Sequence, residues 1–146
     1  MEVTLLVADS ATDNKDGTFS ALRVGITEVY GPLGQPVGFR IAVIVRLWLE
    51  AAENGKHSMR IDIRNEDGKR AGPSARADIE AKGDTAAGIP FVLQIAGSLP
   101  HGKYEVDAVV GNQLRATWPL LVRAPRAGER PPAAPPATPP TEPPTQ

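Results

Sequence analysis

The sequence predicts an all-β protein: an antiparallel β-sandwich of about eight strands, followed by a disordered, proline-rich C-terminal tail. Apolar residues alternate with polar ones, or form short β-branched runs, as they do in strands. Gly, Pro, Asn and Asp separate these segments, a pattern typical of sandwiches and barrels. We therefore expect an immunoglobulin-like or C2-like sandwich without a substantial helix.

The first strands follow from alternation and from polar connections. Val3–Ala8 carries apolar residues on both faces, which predicts an opening strand that is buried on both sides. The polar segment Asp13–Gly17 predicts a hairpin connection that ends in glycine. A second strand is expected from Phe19 to Tyr30, and Gly31–Pro36 is expected to form a loop.

The centre of the sequence carries the strongest strand signal. Phe39–Leu49 is almost wholly apolar and β-branched, as expected of a central strand. Trp48–Glu53 has high helix propensity, but Asn and Gly follow it, so at most one helical turn is expected. In Met59–Arg64 apolar residues alternate with charged ones, which predicts a strand with one solvent-facing side. Gly68 completes an Asp-Gly turn after that strand and is expected to be structural.

The C-terminal half contains the remaining strands. Arg76–Ala81 is short and charged on one side, which predicts a protected edge strand. Ile89–Ile95 alternates next, and Tyr104–Val110 and Leu114–Val122 are expected to form a closing hairpin. Pro119 has no N–H for the sheet, so it predicts an edge position or a bulge.

A Pro/Gly turn places Tyr104 at the start of the closing hairpin. This pattern is similar to the tyrosine corner of immunoglobulin-like sandwiches, where the hydroxyl bonds to backbone a few residues upstream. We expect Leu99 to pack beneath the ring, and Tyr104 and Gly102 to be structural residues. His101 belongs to the same turn, which fits a turn role rather than catalysis.

The composition argues against several functional classes. The 146 residues include 16 Lys and Arg against 17 Asp and Glu, so neither nucleic acid nor a membrane surface is an expected partner. No cysteine is present, which excludes disulfides, thiolate catalysis and cysteine-bound metals. The longest apolar segment, Ile41–Leu49, is about half of a membrane span, and no signal peptide is recognisable. We expect a soluble, cytoplasmic protein.

Composition changes sharply after residue 124. Nine of the 15 prolines lie from Pro125 onward, and large apolar residues are missing there. The sequence therefore predicts a sandwich domain at 1–124 and a disordered tail at 125–146. Three P-x-x-P motifs begin at residues 132, 136 and 140, but proline-rich composition alone produces such matches, so we expect a passive spacer.

The sequence predicts neither a metal site nor a catalytic one. Acidic and amide residues cluster from Asp9 to Asp16, but a calcium loop through Gly17 would begin at Thr12 and end at Arg23, where carboxylates are required. We interpret the cluster as a turn. No serine occupies a nucleophile elbow beside a histidine, and Lys-Ser/Thr does not follow the glycines at 83 and 88. No enzyme activity and no cofactor are expected.

One surface patch is predicted from an arginine and a tryptophan. Arg46 shares a strand face with Trp48. The favoured interpretation is an arginine that snorkels across a half-covered sheet and stacks on Trp48. The alternative is a patch for a protein partner, made of Arg46, Trp48 and His57, because Arg and Trp are enriched in interface hot spots.

Five motifs follow one another along the sequence: Leu5–Ala11, the Gly-Pro loop at 31–32, the segment from Trp48 to His57, Glu66–Gly68 and Leu99–Tyr104. Their order resembles a family of short, uncharacterised bacterial proteins, known as a domain of unknown function. The resemblance covers about residues 2–124. It implies no activity, ligand or site residue, because none is established for the family.

These observations favour a non-catalytic protein-interaction or accessory module with an unidentified protein partner. The sheet edges, the loops 31–36 and 83–88, and the face with Arg46 and Trp48 are the expected contact surfaces. The alternative is a carrier of a small ligand, with an apolar pocket between the sheets or at the loop end.

Overall fold

The computed structural model describes residues 1–82 and 88–130. Its all-β architecture confirms the predicted class, and one turn of 3₁₀ helix, Ala51–Glu53, lies where a single helical turn was expected. The described residues form ten strands, against about eight predicted. The strands are β1 (Glu2–Ala8), β2 (Ser10–Asp13), β3 (Phe19–Leu22), β4 (Glu28–Tyr30), β5 (Val37–Trp48), β6 (Gly55–Asn65), β7 (Ala75–Ala81), β8 (Ile89–Leu99), β9 (Gly102–Val110) and β10 (Gln113–Arg123).

Three sheets arrange these strands. One has the order β1-β5-β8, a second has the order β4-β10-β9-β6-β7, and β2 and β3 form a separate hairpin. The pairs are antiparallel except for β4 with β10, which is parallel. β5 is central and β7 lies at an edge, as the apolar run and the charged short strand predicted.

The main hydrophobic core takes side chains from both large sheets. Val43, Val45 and Leu47 of β5 are fully buried, and so are Ile61 and Ile63 of β6. Alternation on each strand places these residues on one face and the intervening residues on the other. Burial of this apolar surface is the main stabilising contribution to the fold.

A second, smaller core explains why β5 is apolar on both of its faces. Ala42 and Ile44, which alternate with the residues of the main core, pack with Ala8 and Ala11. Leu6, Phe19 and Val92 pack against the same cluster. Because Ala11 and Phe19 belong to β2 and β3, this hairpin covers the back of the three-stranded sheet.

The single strand predicted from Phe19 to Tyr30 is wrong, because the chain breaks into β3 and β4. Arg23 and Gly25 have φ angles of 50° and 93°, which end the extended conformation. The backbone amides of Gly25 and Ile26 both donate to the carbonyl of Val7, at 2.8 and 3.1 Å. The break lets the chain leave the β2–β3 hairpin and reach the edge of the five-stranded sheet. Alternation alone does not reveal such a break.

Pro119 lies in a locally open part of β10. The strand sits between β4 and β9, but β4 pairs only with residues 121–123, so Pro119 pairs with Glu105 alone. The amide of Leu121 donates to Thr27 on the β4 side, and Pro119, two residues earlier, faces the same side. The sheet therefore loses no hydrogen bond through the missing N–H of Pro119. This is the environment of an edge position, as the proline predicted.

Contacts with the strands continue beyond the predicted domain boundary at residue 124. Arg123 binds both carboxylate oxygens of Glu129, at 2.7 and 2.9 Å, and its Nε donates to Glu28 at 2.9 Å. The hydroxyl of Tyr30 donates to the carbonyl of Arg130. Residues 125–130 are thus fastened to β4 and β10. The rest of the predicted tail, 131–146 with its P-x-x-P motifs, and residues 83–87 of the predicted loop lie outside the described residues.

The ion pair between Arg123 and Glu129 is expected to be sensitive to acid. The guanidinium of Arg123 lowers the pKa of Glu129 from 4.5 to about 2, so the ion pair stabilises the folded state above pH 4.5 and is lost as pH falls towards 2. We expect an NMR titration of the Glu129 carboxyl carbon to give a midpoint near 2. The variant Arg123→Gln should move that midpoint back towards 4.5, and an unchanged midpoint in this variant would exclude Arg123 as the cause.

Candidate functional site

Two buried carboxylates lie directly opposite each other on the outer face of the five-stranded sheet. Asp62 of β6 pairs with Asp107 of β9, and their exposed fractions are 3% and 0%. Met59–Arg64 was predicted to have a solvent-facing side, and for Asp62 this is wrong. The carboxylate is buried although it lies on the outer face, where Arg60 and Arg70 contact it. Acidic residues are almost never fully buried unless they are paired.

Three arginines supply the partners of these carboxylates. Arg64 donates from Nε to Asp107, which also accepts a hydrogen bond of 2.8 Å from the Thr117 hydroxyl. Asp62 accepts from Nε of Arg60 at 2.6 Å, and Nε of Arg70 lies 3.4 Å from the same oxygen. We call this set the arginine–aspartate cluster: Arg60, Asp62, Arg64, Arg70 and Asp107.

The electrostatics of the cluster favour the charged form of Arg64. The hydrogen bond to Asp107 raises the pKa of Arg64, and the charge of Asp107 acts in the same direction. The other oxygen of Asp62, Oδ1, is buried and has no hydrogen-bond partner among the described residues. Bonding inside the cluster is therefore incomplete at one acceptor.

Like charges face each other at two places beside Asp62. Arg60 lies opposite Arg76 of β7, and Arg64 forms an isolated bridge with Arg70, which follows the turn after β6. Opposed charges of one sign destabilise a sheet. Asp62, which lies between the two arginine pairs and binds Arg60 and Arg70, offsets part of this repulsion.

A groove of about 650 Å³ adjoins the cluster on the same outer face. It lies between the turn Asn65–Gly68 and the start of β4, and Arg64 lines its boundary. Pro119 and Leu121 contribute apolar surface, while Glu105 and Lys103 contribute opposite charges. This concavity is on the exterior of the five-stranded sheet, not between the sheets.

Arg46 and Trp48 are brought together in the way the favoured interpretation predicts. The guanidinium carbon of Arg46 lies 5.6 Å from the ring centroid of Trp48 and 5.7 Å from that of Phe19. Its Nη2 donates to the carbonyl of Gly17, in the turn of the β2–β3 hairpin. These contacts hold the hairpin on the three-stranded sheet.

His57 is placed apart from that pair. It lies on β6, in the other large sheet, and its Nε2 is 2.6 Å from the backbone carbonyl of Glu53. The side chain of Glu53 accepts from the Met1 amino group at 2.8 Å, which lowers the pKa of Glu53. His101 bonds to the carbonyl of Gly31 at 3.2 Å. Both histidines thus contact backbone carbonyls of neighbouring connections.

The residues predicted to be structural have defined contacts. The Tyr104 hydroxyl donates to the carbonyl of Pro100 at 2.8 Å, the hydrogen bond expected of a tyrosine corner, and burial raises the pKa of Tyr104. Gly102 packs beside the Tyr104 ring, and Leu99 is fully buried in the same core. Gly68 has a φ of 74°, which favours glycine, and its amide donates to Asn65 at 2.9 Å.

The acidic residues near Gly17 make local turn contacts. Asp13 accepts from the amide of Lys15 at 2.8 Å, and Asp16 accepts from the amide and hydroxyl of Thr18, which lowers the pKa of Asp16. Asn14 bonds to Thr18 as well. These contacts agree with the interpretation as a turn. In the ranges 1–82 and 88–130 no three His, Asp or Glu side chains are grouped so that they could hold a metal ion.

A family described as a family of unknown function, DUF6941, matches residues 3–123. The chain belongs to this family. The match agrees with the expected resemblance to a family of unknown function, and it ends at the last residue of β10. The matched region therefore contains both large sheets and the arginine–aspartate cluster. No curated protein matches the chain. In the part that the structure describes, no helix is long and apolar enough to cross a membrane.

Proposed function

We propose that this member of DUF6941 is a non-catalytic interaction module of the bacterial cytoplasm, which binds a protein partner through the outer face of its five-stranded sheet. The arginine–aspartate cluster is the observation that carries the proposal. Arginine is enriched in the energetically dominant residues of protein interfaces. Here its side chains lie on an exposed sheet face and are fixed from below by Asp62 and Asp107.

Stability alone gives a poor reason for such a cluster. Desolvation of buried ion pairs commonly cancels their mutual attraction, and apolar residues of similar size often stabilise as well or better. The cluster also keeps Arg60 opposite Arg76, an arrangement that costs stability. The cluster is better explained as a means of orienting the guanidinium groups for a partner.

We also propose a sandwich of immunoglobulin-like or C2-like type. The shared core of the two large sheets and the hydrogen bond from Tyr104 to Pro100 support it. The absence of cysteine from the sequence agrees with a reducing compartment. The proline-rich segment after residue 130 has the composition of a spacer.

A small-ligand carrier is the second candidate, and the groove beside Arg64 favours it. Its volume of about 650 Å³ falls within the usual range of ligand pockets. Its apolar surface from Pro119 and Leu121 would contact a ligand body, and Lys103 and Glu105 would orient it. The groove is an open exterior concavity, which fits a peptide segment of a partner better than an enclosed small molecule.

Affinity capture from the native host tests the interaction module. Three baits are used: the full chain, the variant Arg70→Gln/Arg76→Gln and the control Arg23→Gln/Arg40→Gln. The variant and the control each lose two positive charges. We expect the full chain and the control to enrich a partner protein that the variant enriches about tenfold less. Cross-links from this partner should fall on β6 and β7. Equal enrichment by all three baits, or cross-links confined to the three-stranded sheet, would refute the proposed face.

A further inference from the structure

We propose that the arginine–aspartate cluster recognises carboxylate groups on an acidic, extended segment of the partner protein. This inference rests on the proposed function, and it names the chemistry of the partner. Carboxylates pair with guanidinium groups in planar, two-pronged hydrogen bonds that are stronger than neutral ones.

The geometry leaves the arginines able to form such bonds. Arg60 and Arg64 each use Nε, one of five N–H donors of a guanidinium, for a hydrogen bond to an aspartate, and Arg70 approaches Asp62 through the same atom. Their side chains are 27%, 33% and 55% exposed. The aspartates thus contact each guanidinium at Nε, and among the described residues no contact occupies the terminal Nη donors, which can bind a ligand at the surface.

The local charge selects an anion. Arg76, which is exposed, joins the three arginines of the cluster, so four cations face the two buried aspartates. Glu105, whose charge also acts on Arg64, lowers the local excess to one positive charge. The whole chain, in contrast, has a net charge of -1. Glu105 opposite Arg64 and Asp78 beyond Arg76 border this area with negative charge. The favourable area is therefore small, which suits a short acidic segment and not a long phosphate backbone.

An unsatisfied acceptor favours a peptide over a free inorganic anion. Oδ1 of Asp62 is buried without a hydrogen-bond partner in the described ranges, and such an atom is costly. A peptide carries several backbone N–H donors beside its acidic side chains, whereas the oxygens of inorganic phosphate are mainly acceptors. Arg70 is the most exposed member of the cluster and its contact with Asp62 is the longest, so it has the greatest freedom to adjust to a ligand.

Fluorescence anisotropy with a fluorescein-labelled hexaglutamate peptide tests the inference on the full chain. We expect saturable binding that weakens as salt rises, and no binding of the matching hexaglutamine peptide. Arg70→Gln/Arg76→Gln should weaken binding by about tenfold, and Arg23→Gln/Arg40→Gln by less than about twofold. Inorganic phosphate should compete poorly, and an oligothymidylate of equal length should bind more weakly than hexaglutamate.

The variant Asp62→Asn separates orientation from charge. It removes a negative charge, so general attraction alone predicts tighter binding of hexaglutamate. If Asp62 positions Arg60 and Arg70, the variant binds several-fold more weakly, and we expect this result. Tighter binding would refute the positioning role. Circular dichroism spectra of each variant, compared with the parent, verify that the fold is retained.

Other results would overturn the carboxylate assignment. They are an absence of hexaglutamate binding, equal losses in the two double variants, and tighter binding of phosphate or oligothymidylate. If a host partner is captured through β6 and β7 but hexaglutamate does not compete, the assignment fails and the interaction module stands. If hexaglutamate binds as expected but no host protein depends on this face, the proposed function fails instead.

Discussion

Replacing Arg64 with methionine is expected to lower the free energy of unfolding by about 3 kcal/mol, the lower end of the range for breaking a buried ion pair. Asp107 is fully buried, and without Arg64 its carboxylate keeps, among the described residues, only the Thr117 hydroxyl as a partner. Methionine preserves much of the arginine volume, so the loss reports on the charge rather than on a cavity. Partial exposure of Arg64 to solvent places the expected loss at the lower end.

A double-mutant cycle separates this charge effect from packing. Arg64→Met/Asp107→Leu removes both charges, and we expect it to recover most of the stability that Arg64→Met loses. Urea unfolding followed by circular dichroism gives the four free energies of the cycle. If the double variant loses as much free energy of unfolding as the two single variants together, Arg64 and Asp107 do not interact energetically. In that case the cluster does not hold Arg64 in place.

Local sequence patterns sufficed for most strands and for the tyrosine corner. The apolar run of β5, the charged edge β7 and the turn at Gly68 each depend on residues that are neighbours in the sequence. The corner is equally local, since Tyr104 bonds to a carbonyl only four residues upstream. Such features can be predicted because side-chain alternation and turn conformations are properties of short segments.

The candidate site could not be predicted in the same way, because it depends on register between distant strands. Arg64 and Asp107 are 43 residues apart, and the alternation of β6 and β9 gives only the face on which each one lies. The sequence does contain one signal, the spacing of Arg60, Asp62 and Arg64 on one strand face. Only the pairing of Asp62 with Asp107 shows that this charged face is a bonded cluster.

The predicted patch of Arg46, Trp48 and His57 illustrates the same limit. Spacing on one strand correctly joined Arg46 to Trp48, whose ring the guanidinium faces. Arg46 also contacts the Phe19 ring and the Gly17 carbonyl, which belong to the β2–β3 hairpin. No local sequence pattern predicts these two contacts. His57, the third residue of the predicted patch, lies on β6 in the other large sheet.

Replacing Ile61 with alanine should give the largest loss of stability from a single apolar side chain, about 3–5 kcal/mol. Ile61 is fully buried in the main core, and its partners on the neighbouring strands are Ala108 and Ala75. Two alanines have no side-chain length with which to fill the space that the isoleucine leaves. The cavity therefore stays open, and the cost of a core truncation rises with the volume of its residual cavity.

Ile89→Ala is the matched control, because the same atoms are removed from a half-buried position at the start of β8. We expect it to cost about 1 kcal/mol, and Ile61→Val to cost a similar amount because it removes one methylene group. Urea midpoints at constant m-value measure all three variants. A loss below about 1.5 kcal/mol for Ile61→Ala would mean that β7 and β9 close over the cavity. In that case the edge strand β7 is less firmly held than its seven register pairs with β6 indicate.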